Sequence, residues 1–181
     1  LGQADPPQIE LAQISAGGGH SCGIDLEGAL HCWGDDRQGQ VTVPDGSYVQ
    51  AVAGGEHSCA LSDQGAITCW GKTSGSEGHT EPPQEGPYTI LYAGKDHTCA
   101  LETDQNGECW GADEESQAPH HQAGNFVDLG LGASHSCSIE ADGSNRCWGS
   151  DSEGQASPPM ASFTQIDAGG DTTCALGQQG S

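Results

Sequence analysis

Cysteines are the residues of this chain whose spacing most directly implies chemistry. Eight of the nine form four copies of Cys-x9-Cys-Trp-Gly, in which the two cysteines stand ten positions apart. The four pairs are Cys22 and Cys32, Cys59 and Cys69, Cys99 and Cys109, and Cys137 and Cys147. A pair at this spacing could form a disulfide, or it could contribute two ligands to a zinc site.

The register of a β-hairpin favours the disulfide. If Cys22 faces Cys32 across an antiparallel pair, residues 26–28 remain as a three-residue loop, and Gly28 takes the position that favours a left-handed backbone. Directly opposed residues have Cα atoms roughly 4.5–5.5 Å apart, a distance that permits a disulfide. Zinc ligands are commonly separated by roughly two to four residues, which the gap of nine does not match. We therefore predict four cross-strand disulfides and an oxidising compartment.

The turn of the third copy departs from the others. Gly65 and Gly143 occupy the turn position of Gly28 in the second and fourth copies, but the third copy has Gln105 there. Because a residue with a Cβ rarely adopts a left-handed backbone, we expect a shifted turn in this copy.

Cys174 opens a fifth copy that lacks its second cysteine within the chain. It is therefore free, paired with a cysteine outside this sequence, or paired between molecules. The last alternative predicts a filament, because head-to-tail contacts that do not close propagate. The chain thus resembles either a window from a longer tandem array or a unit whose repeats continue into the next molecule.

Histidine precedes Ser-Cys or Thr-Cys in the first four copies. These histidines are His20, His57, His97 and His135. Arranged in a ring, they could bind a metal ion or sense pH. A residue that recurs at one position of every repeat is more often structural. We therefore predict that each histidine hydrogen-bonds to a neighbouring strand.

Two further repeated features admit a binding role and a structural one. The repeated tryptophans are Trp33, Trp70, Trp110 and Trp148, and the acidic segments are Asp35-Asp36, Asp113-Glu114-Glu115, Asp151 and Glu153. The tryptophans could stack against sugars, but a repeated Trp more often packs the repeat while its N–H meets a carbonyl. The acidic segments lack the dense alternation of carboxylates found in calcium loops. We predict no cofactor, with Ca²⁺ at the acidic loops as the weaker alternative.

Composition alone argues against a folded chain. Leu, Ile, Val and Phe provide 24 of the 181 residues, and 26 acidic residues against four Lys and Arg give a net charge of −22. Such a composition favours disorder, but the fixed repeat indicates a folded structure that disulfides reinforce by roughly 2.5–3 kcal/mol each. The charge repels nucleic acid and anionic lipid, so we expect neither as a partner. No signal peptide or long apolar run is present, which predicts no membrane insertion; a mature secreted chain has already lost its signal.

The repeat has a period of about 38 residues, since the first cysteines stand at 22, 59, 99, 137 and 174. Each period contains three short strand-like segments and no helical pattern, which predicts an all-β fold, either a propeller or a β-solenoid. The hairpin in every repeat favours a propeller, closed or open, of three-stranded blades. Leu11 and Ile14 stand six and three positions before Gly17, a spacing that predicts a bulge in the first strand. About 4.7 repeats form a single domain, over residues 1–38, 39–77, 78–116, 117–153 and 154–181.

The repeat resembles those of the regulator-of-chromosome-condensation type. Residues 53–61 give its clearest copy, Ala-Gly-Gly-Glu-His-Ser-Cys-Ala-Leu, and the Cys-Trp-Gly and Gly-Gln motifs complete it over essentially the whole chain. The chain is similar to the short, cysteine-bearing bacterial version found in secreted proteins, including a secreted β-lactamase inhibitor. The resemblance implies one propeller blade per repeat, with seven blades usually closing the ring. The eukaryotic founder is a nucleotide-exchange factor, and nothing in this chain matches its partner-binding loops.

The function predicted from these features is that of a secreted, non-enzymatic repeat protein that binds a protein partner or builds an extracellular structure. Two alternatives are a filament subunit joined through the incomplete terminal repeat, and the propeller part of a larger secreted enzyme. No catalytic Ser/His/Asp or Cys/His set stands apart from the repeat positions. The least regular loops, 72–87 and 111–125, contain His79, His120 and His121 and are the predicted binding surface.

Overall fold

The computed structural model describes residues 5–72, 80–84 and 86–177 of the chain. Every regular element within these residues is a β-strand, which confirms the predicted all-β fold. No described segment forms a helix long and apolar enough to cross a membrane.

Fourteen strands of the described residues form five separate antiparallel sheets. The first two sheets contain β1 (Leu11–Ala16), β2 (His20–Asp25) and β3 (Leu30–Gly34), then β4 (Gln50–Ala53), β5 (His57–Leu61) and β6 (Ile67–Gly71). The next two contain β7 (Tyr88–Ala93), β8 (His97–Glu102) and β9 (Gly107–Gly111), then β10 (Phe126–Leu131), β11 (His135–Glu140) and β12 (Asn145–Gly149). The fifth contains β13 (Phe163–Gly169) and β14 (Thr172–Gly177).

The five sheets are arranged as the blades of an open propeller. Within each sheet the strand order follows the chain. The first strand of each sheet contacts the first strand of the next, so that β1, β4, β7, β10 and β13 are successive neighbours. The sheets are called blades 1 to 5 below, and the prediction of an open array of three-stranded blades agrees with the first four.

The hairpin turns follow the predicted register. Gly28, Gly65 and Gly143 have positive φ angles of 85°, 79° and 83°. The prediction of a shifted turn in blade 3 is wrong, because Gln105 itself adopts a φ of 69° and Leu101 still pairs with Gly107. The Gln105 carbonyl accepts a hydrogen bond from the Phe126 N–H of the next blade at 3.0 Å, as the turn glycines do from their next blades. This contact between blades explains why the turn keeps its shape without a glycine.

The predicted bulge is present in the first strand of four blades. The register shifts between Leu11 and Gln13 in blade 1, and at the matching positions in blades 3, 4 and 5. The strand therefore changes which face it presents, and in blade 3 both Tyr88 and Leu91 lie on the side that meets the preceding blade.

Four disulfides join the second and third strands of blades 1 to 4, with Cα atoms 4.0 to 4.1 Å apart. Each disulfide lies on the side of its blade that faces the next blade. The disulfides are therefore not gathered in one central core. Cys59 and Leu61 of blade 2, for example, pack against Tyr88 and Leu91 of blade 3. The same arrangement recurs at the other three junctions, so the hydrophobic core consists of four small clusters between neighbouring blades.

The disulfide pairing predicts how the chain responds to alkylation. Treatment of the denatured, unreduced protein with iodoacetamide should modify one cysteine, Cys174, which is the free and exposed one. After reduction all nine should react. Intact mass and peptide mapping measure both states. Nine adducts without reduction would contradict the four bridges, and none would show that Cys174 is itself bonded.

Candidate binding face

The repeated histidines connect each blade to the next. His20 Nε2 lies 2.8 Å from Ser58 Oγ, and His97 Nε2 lies 2.8 Å from Ser136 Oγ. His57 and His135 make the matching contacts with Thr98 and Thr173 at 2.8 and 2.7 Å. The imidazoles therefore act pairwise, between neighbouring blades, and do not converge on one point.

The hydroxyl at such a junction fixes the tautomer of the histidine. Ser58 Oγ donates its single proton to the carbonyl oxygen of Gln40 at 3.0 Å. Since a hydroxyl has only one proton to donate, His20 must donate from Nε2 to that oxygen. Ser136 and Thr173 make the same bonds to the carbonyls of Gln117 and Gln155, so the chain repeats one polar junction.

Two tryptophans complete the same junctions. Trp70 Nε1 donates to the Gln40 carbonyl at 2.9 Å, and Trp148 Nε1 donates to the Gln117 carbonyl at 3.0 Å. The backbone carbonyls of Gln40 and Gln117 thus each accept both an indole N–H and a hydroxyl. In the third repeat the sequence position that matches Gln40 is His79, which lies outside the described residues. Trp33 is half-buried in blade 1.

A glycine under each imidazole makes room for the junction. A Cβ built on Gly54 or Gly132 would overlap the ring of His57 or His135, respectively. Gly54 also accepts a hydrogen bond from the Gly18 N–H of the preceding blade at 2.9 Å. The Ala-Gly-Gly segment is therefore a packing requirement of the His–hydroxyl contact, not a phosphate-binding loop.

The acidic loops use their carboxylates to hold their own backbone. Asp36, Asp113 and Asp151 each accept a hydrogen bond from a backbone N–H five residues later, at 2.8 to 3.0 Å. Within the described ranges, no group of three or more His, Cys, Asp or Glu side chains is placed to hold a metal ion.

Three basic residues meet on one side of blades 1 to 3. Arg37, Lys72 and Lys95 are three of only four Lys and Arg residues in the chain. They line one cavity of about 500 Å³ together with Asp35, Glu56 and Asp96. We call these six residues the basic cluster, because this set holds most of the positive charge of a strongly acidic protein.

The basic residues of the cluster form ion pairs with its carboxylates. These ion pairs leave the side chains of Arg37 and Lys95 exposed. Lys72 Nζ lies 3.6 Å from Glu56 Oε2 and 3.8 Å from Asp96 Oδ1, and its side chain is only 25% exposed. Lys95 Nζ lies 3.5 Å from Asp96 Oδ2 and is 66% exposed.

Arg37 is held more firmly than the two lysines. It donates from Nε and Nη2 to both carboxylate oxygens of Asp35 at 2.6 to 2.9 Å and is still 76% exposed. Its hydrogen bonds lower the pKa of Asp35. The guanidinium is therefore fixed in place while most of it stays open to a partner.

The basic cluster adjoins the mouth at the centre of the array. A cavity of about 330 Å³ is lined there by the small residues of the Ala-Gly-Gly segments, and Gly18, Gly55 and Lys95 border both cavities. Backbone bonds such as Gly55 N–H to the Lys95 carbonyl, 2.7 Å, fix this rim. A rigid rim beside fixed charges suits recognition of a polar partner surface.

The predicted loop surfaces overlap this face only in part. Lys72 begins the first loop and belongs to the basic cluster, whereas residues 73–79, with His79, and residue 85 lie outside the described residues. In the second loop Gln117 and Ala118 are buried, and His120 and His121 are exposed. Arg37 and Lys95 were missed because neither lies in an irregular loop. The scarcity of basic residues is the signal that could have pointed to them.

Two segments of the chain match a known repeat family. Residues 11–40 and 48–78 match the family model of the Regulator of chromosome condensation (RCC1) repeat. These two segments are RCC1 repeats. They contain all the strands of blades 1 and 2, and blades 3 and 4 have the same cross-strand disulfide and histidine contact. No curated protein sequence matches the chain.

Solved structures support the same RCC1-type propeller. The receptor kinase CR4 ectodomain of Physcomitrella patens is 28% identical with a TM-score of 0.79, and the match covers 96% of this chain and 50% of that one. The ACR4 ectodomain of Arabidopsis thaliana is 26% identical with a TM-score of 0.74, covering 96% and 62%. Prp20p of Saccharomyces cerevisiae shares the fold at 15% identity, with a TM-score of 0.79 and coverage of 94% and 56%. The chain thus spans between half and two thirds of these solved chains.

The histidine junctions predict a loss of stability in mild acid. Burial lowers the pKa of His20 and His135 below the usual value near 6.5. The unfolded chain therefore binds protons before the native one does, and the free energy of unfolding falls as the pH drops through about 6.5. The carboxylates of Asp35 and Asp151 have lowered pKa values, so their contribution is lost only at lower pH.

The urea concentration at the midpoint of unfolding, measured at pH values from about 7.5 to 5, tests this prediction. It should fall in this range for the wild type, and the fall should be smaller for His135→Asn. His121→Asn, at an exposed site, should follow the wild type. Equal pH slopes for His135→Asn and the wild type would contradict the role of burial.

Proposed function

We propose that the chain is a secreted, non-enzymatic module that binds a protein partner through the basic cluster. Four disulfides support an oxidising compartment. Similarity to two receptor kinase ectodomains supports a place outside the cell. Prp20p, which shares the fold, has binding properties toward Gsp1p and histones, which supports a protein as the partner.

The observation that carries this proposal is the placement of the basic residues. A net charge of −22 repels acidic partners over most of the surface. At the basic cluster, Arg37 and Lys95 are exposed and locally balance the nearby carboxylates. A partner that presents carboxylates at matching positions can contact two exposed cations here, and the surrounding charge disfavours other orientations. We therefore expect a partner with an acidic patch or acidic side chains on an otherwise neutral or basic surface.

Binding of a labelled tetraglutamate peptide tests the cluster. At low ionic strength the peptide should bind, and Lys95→Gln should raise the Kd about fivefold, which is ~1 kcal/mol for one exposed ion pair. Fluorescence anisotropy measures the Kd, and salt near 0.3 M should weaken binding because it screens exposed charges.

Arg146→Gln is the matched control, because it changes the net charge by the same amount. Arg146 lies away from the cluster, with its guanidinium 5.1 Å from the Phe126 ring centroid. Its Kd should equal that of the wild type. An equal effect of both variants would show that only the overall charge matters, and failure of the wild type to bind would reject the site.

A second candidate function is assembly into a filament, and the end faces of the array favour it. Ile14 on blade 1 is 60% exposed, whereas its counterparts Leu91, Leu129 and Ile166 are buried between blades. On blade 5, Leu176 is 57% exposed while its counterpart Leu61 is buried. A head-to-tail contact between two copies would bury both of these apolar side chains.

Sedimentation at increasing protein concentration tests this assembly. The wild type should form larger species, and Leu176→Glu should shift the chain to monomer because it places a charge in the apolar contact. Leu26→Glu is the control, since Leu26 is 70% exposed and lies in the turn between β2 and β3 instead of on a strand. A wild type that stays monomeric at all concentrations would reject the filament.

A further inference from the structure

We infer that the basic cluster binds a partner segment in which one cation lies between two carboxylates. The two carboxylates contact the exposed cations, Arg37 and Lys95, and the cation of the partner contacts Glu56. This inference rests on the proposed protein-binding function and defines the partner of the same site more narrowly. It makes Glu56 the residue that selects among acidic segments, beside the two cations that bind all of them.

The cluster is a row of alternating charge. Its members change sign at each step from blade 1 to blade 3, in the order Asp35, Arg37, Glu56, Lys72, Asp96 and Lys95. Four of the five neighbouring pairs are ion pairs, with N–O distances from 2.6 to 3.8 Å. The remaining pair is Arg37 and Glu56. Hydrogen bonds to Asp35 raise the pKa of the Arg37 guanidinium, and the charge of Glu56 adds to this effect.

Three members of this row are open enough to meet a partner. Arg37 is 76% exposed, Glu56 is 44% exposed and Lys95 is 66% exposed, whereas the other three side chains are 9 to 25% exposed. The surface therefore presents a cation, an anion and a cation in succession. A partner segment matches this surface when its own charges follow the opposite order, which is carboxylate, cation, carboxylate.

The repeat itself does not require these charges. In blades 1 to 4 the N–H after the third strand donates to the carbonyl of the residue before the repeated histidine position. Lys72 donates to Glu56 in this way at 2.9 Å, and Ser150 donates to Ser134 at 2.8 Å. The same backbone bond forms with charged side chains in blade 2 and with uncharged ones in blade 4. The charges are therefore free to serve recognition, because the fold does not depend on them.

Glycines beside the row allow a partner backbone to come close to the charges. Gly18, Gly19 and Gly55 line the same cavity as the six charged residues and contribute no side chain to it. This floor is fixed, since a Cβ on Gly55 would lie 2.6 Å from the Lys95 carbonyl oxygen that the Gly55 N–H bonds. An extended segment suits such a floor, because alternate side chains of a strand point to one face. The matching sequence is therefore Glu-x-Lys-x-Glu or a close equivalent.

The net charge of the chain also favours a cation in the partner. At −22 the protein repels a segment that carries carboxylates alone. A cation between the two carboxylates cancels one of their charges, so the segment reaches the cluster against less repulsion. Contact with Glu56 adds a short-range attraction to this general effect, and salt screens both because the groups are exposed.

Two labelled peptides with blocked ends, Glu-Gly-Lys-Gly-Glu and Glu-Gly-Gln-Gly-Glu, test the inference by fluorescence anisotropy at low ionic strength. The wild type should bind the Lys peptide about threefold more tightly than the Gln peptide, as one additional exposed ion pair implies. Glu56→Gln should lower this ratio to about one, because the partner's cation then has no carboxylate to contact. Its urea midpoint should equal that of the wild type, since the repeat does not require the charge.

Glu27→Gln is the matched control, because it changes the net charge by the same amount. Glu27 is exposed and follows the end of β2, whereas the glycines of the cavity precede the start of that strand. This variant should keep the threefold ratio. Equal ratios for Glu56→Gln and Glu27→Gln would show that only net charge favours the Lys peptide and would overturn the inference.

Failure of this inference differs from failure of the proposed function. Equal Kd values of the wild type for the two peptides, with tetraglutamate still bound, would overturn the role of Glu56 and leave the acidic partner in place. A wild type that binds neither tetraglutamate nor either peptide would overturn both.

Discussion

The structure depends on what is buried between neighbouring blades. With few branched apolar side chains available, each junction combines one disulfide with a few aliphatic residues and at least one aromatic residue of the next blade. Cys59, Leu61 and Tyr88 show this combination between blades 2 and 3. A disulfide closing about ten residues contributes roughly 2.5–3 kcal/mol by restricting the unfolded chain. Here it also supplies apolar surface to the neighbouring blade, so covalent and packing stabilisation act at the same place.

The polar half of each junction adds specificity to this packing. A buried His donates from Nε2 to a hydroxyl, and the hydroxyl donates to a backbone carbonyl. Such a chain of bonds fixes the rotation of one blade against the next, because His20 and Ser58 meet only in one register. The glycine beneath each ring follows from this arrangement. A repeated polar junction thus sets the geometry of the array, while the disulfide holds each blade together.

The repeat made most of this fold predictable from sequence. The position of Gly28 gave the hairpin register, and the register gave the disulfide. At Gln105 the same reasoning failed, because the carbonyl of that turn is tied to Phe126 in the next blade and local backbone preference is overridden. The basic cluster was not predictable, since Arg37, Lys72 and Lys95 come from different blades and meet only in the folded array. Residues that recur in every repeat indicate the fold. The basic cluster instead consists of residues that do not recur from one repeat to the next.

The contrast between the cluster and the rest of the surface argues for recognition by charge. An acidic protein gains solubility from its net charge, but it also loses most partners that carry acidic groups. Asp35 pairs with one edge of the Arg37 guanidinium and leaves the remainder exposed. Lys95 shares Asp96 with Lys72, which also pairs with Glu56. The two exposed cations therefore keep the capacity to bind a further carboxylate, and the rigid rim beside them limits which partner surfaces can deliver it.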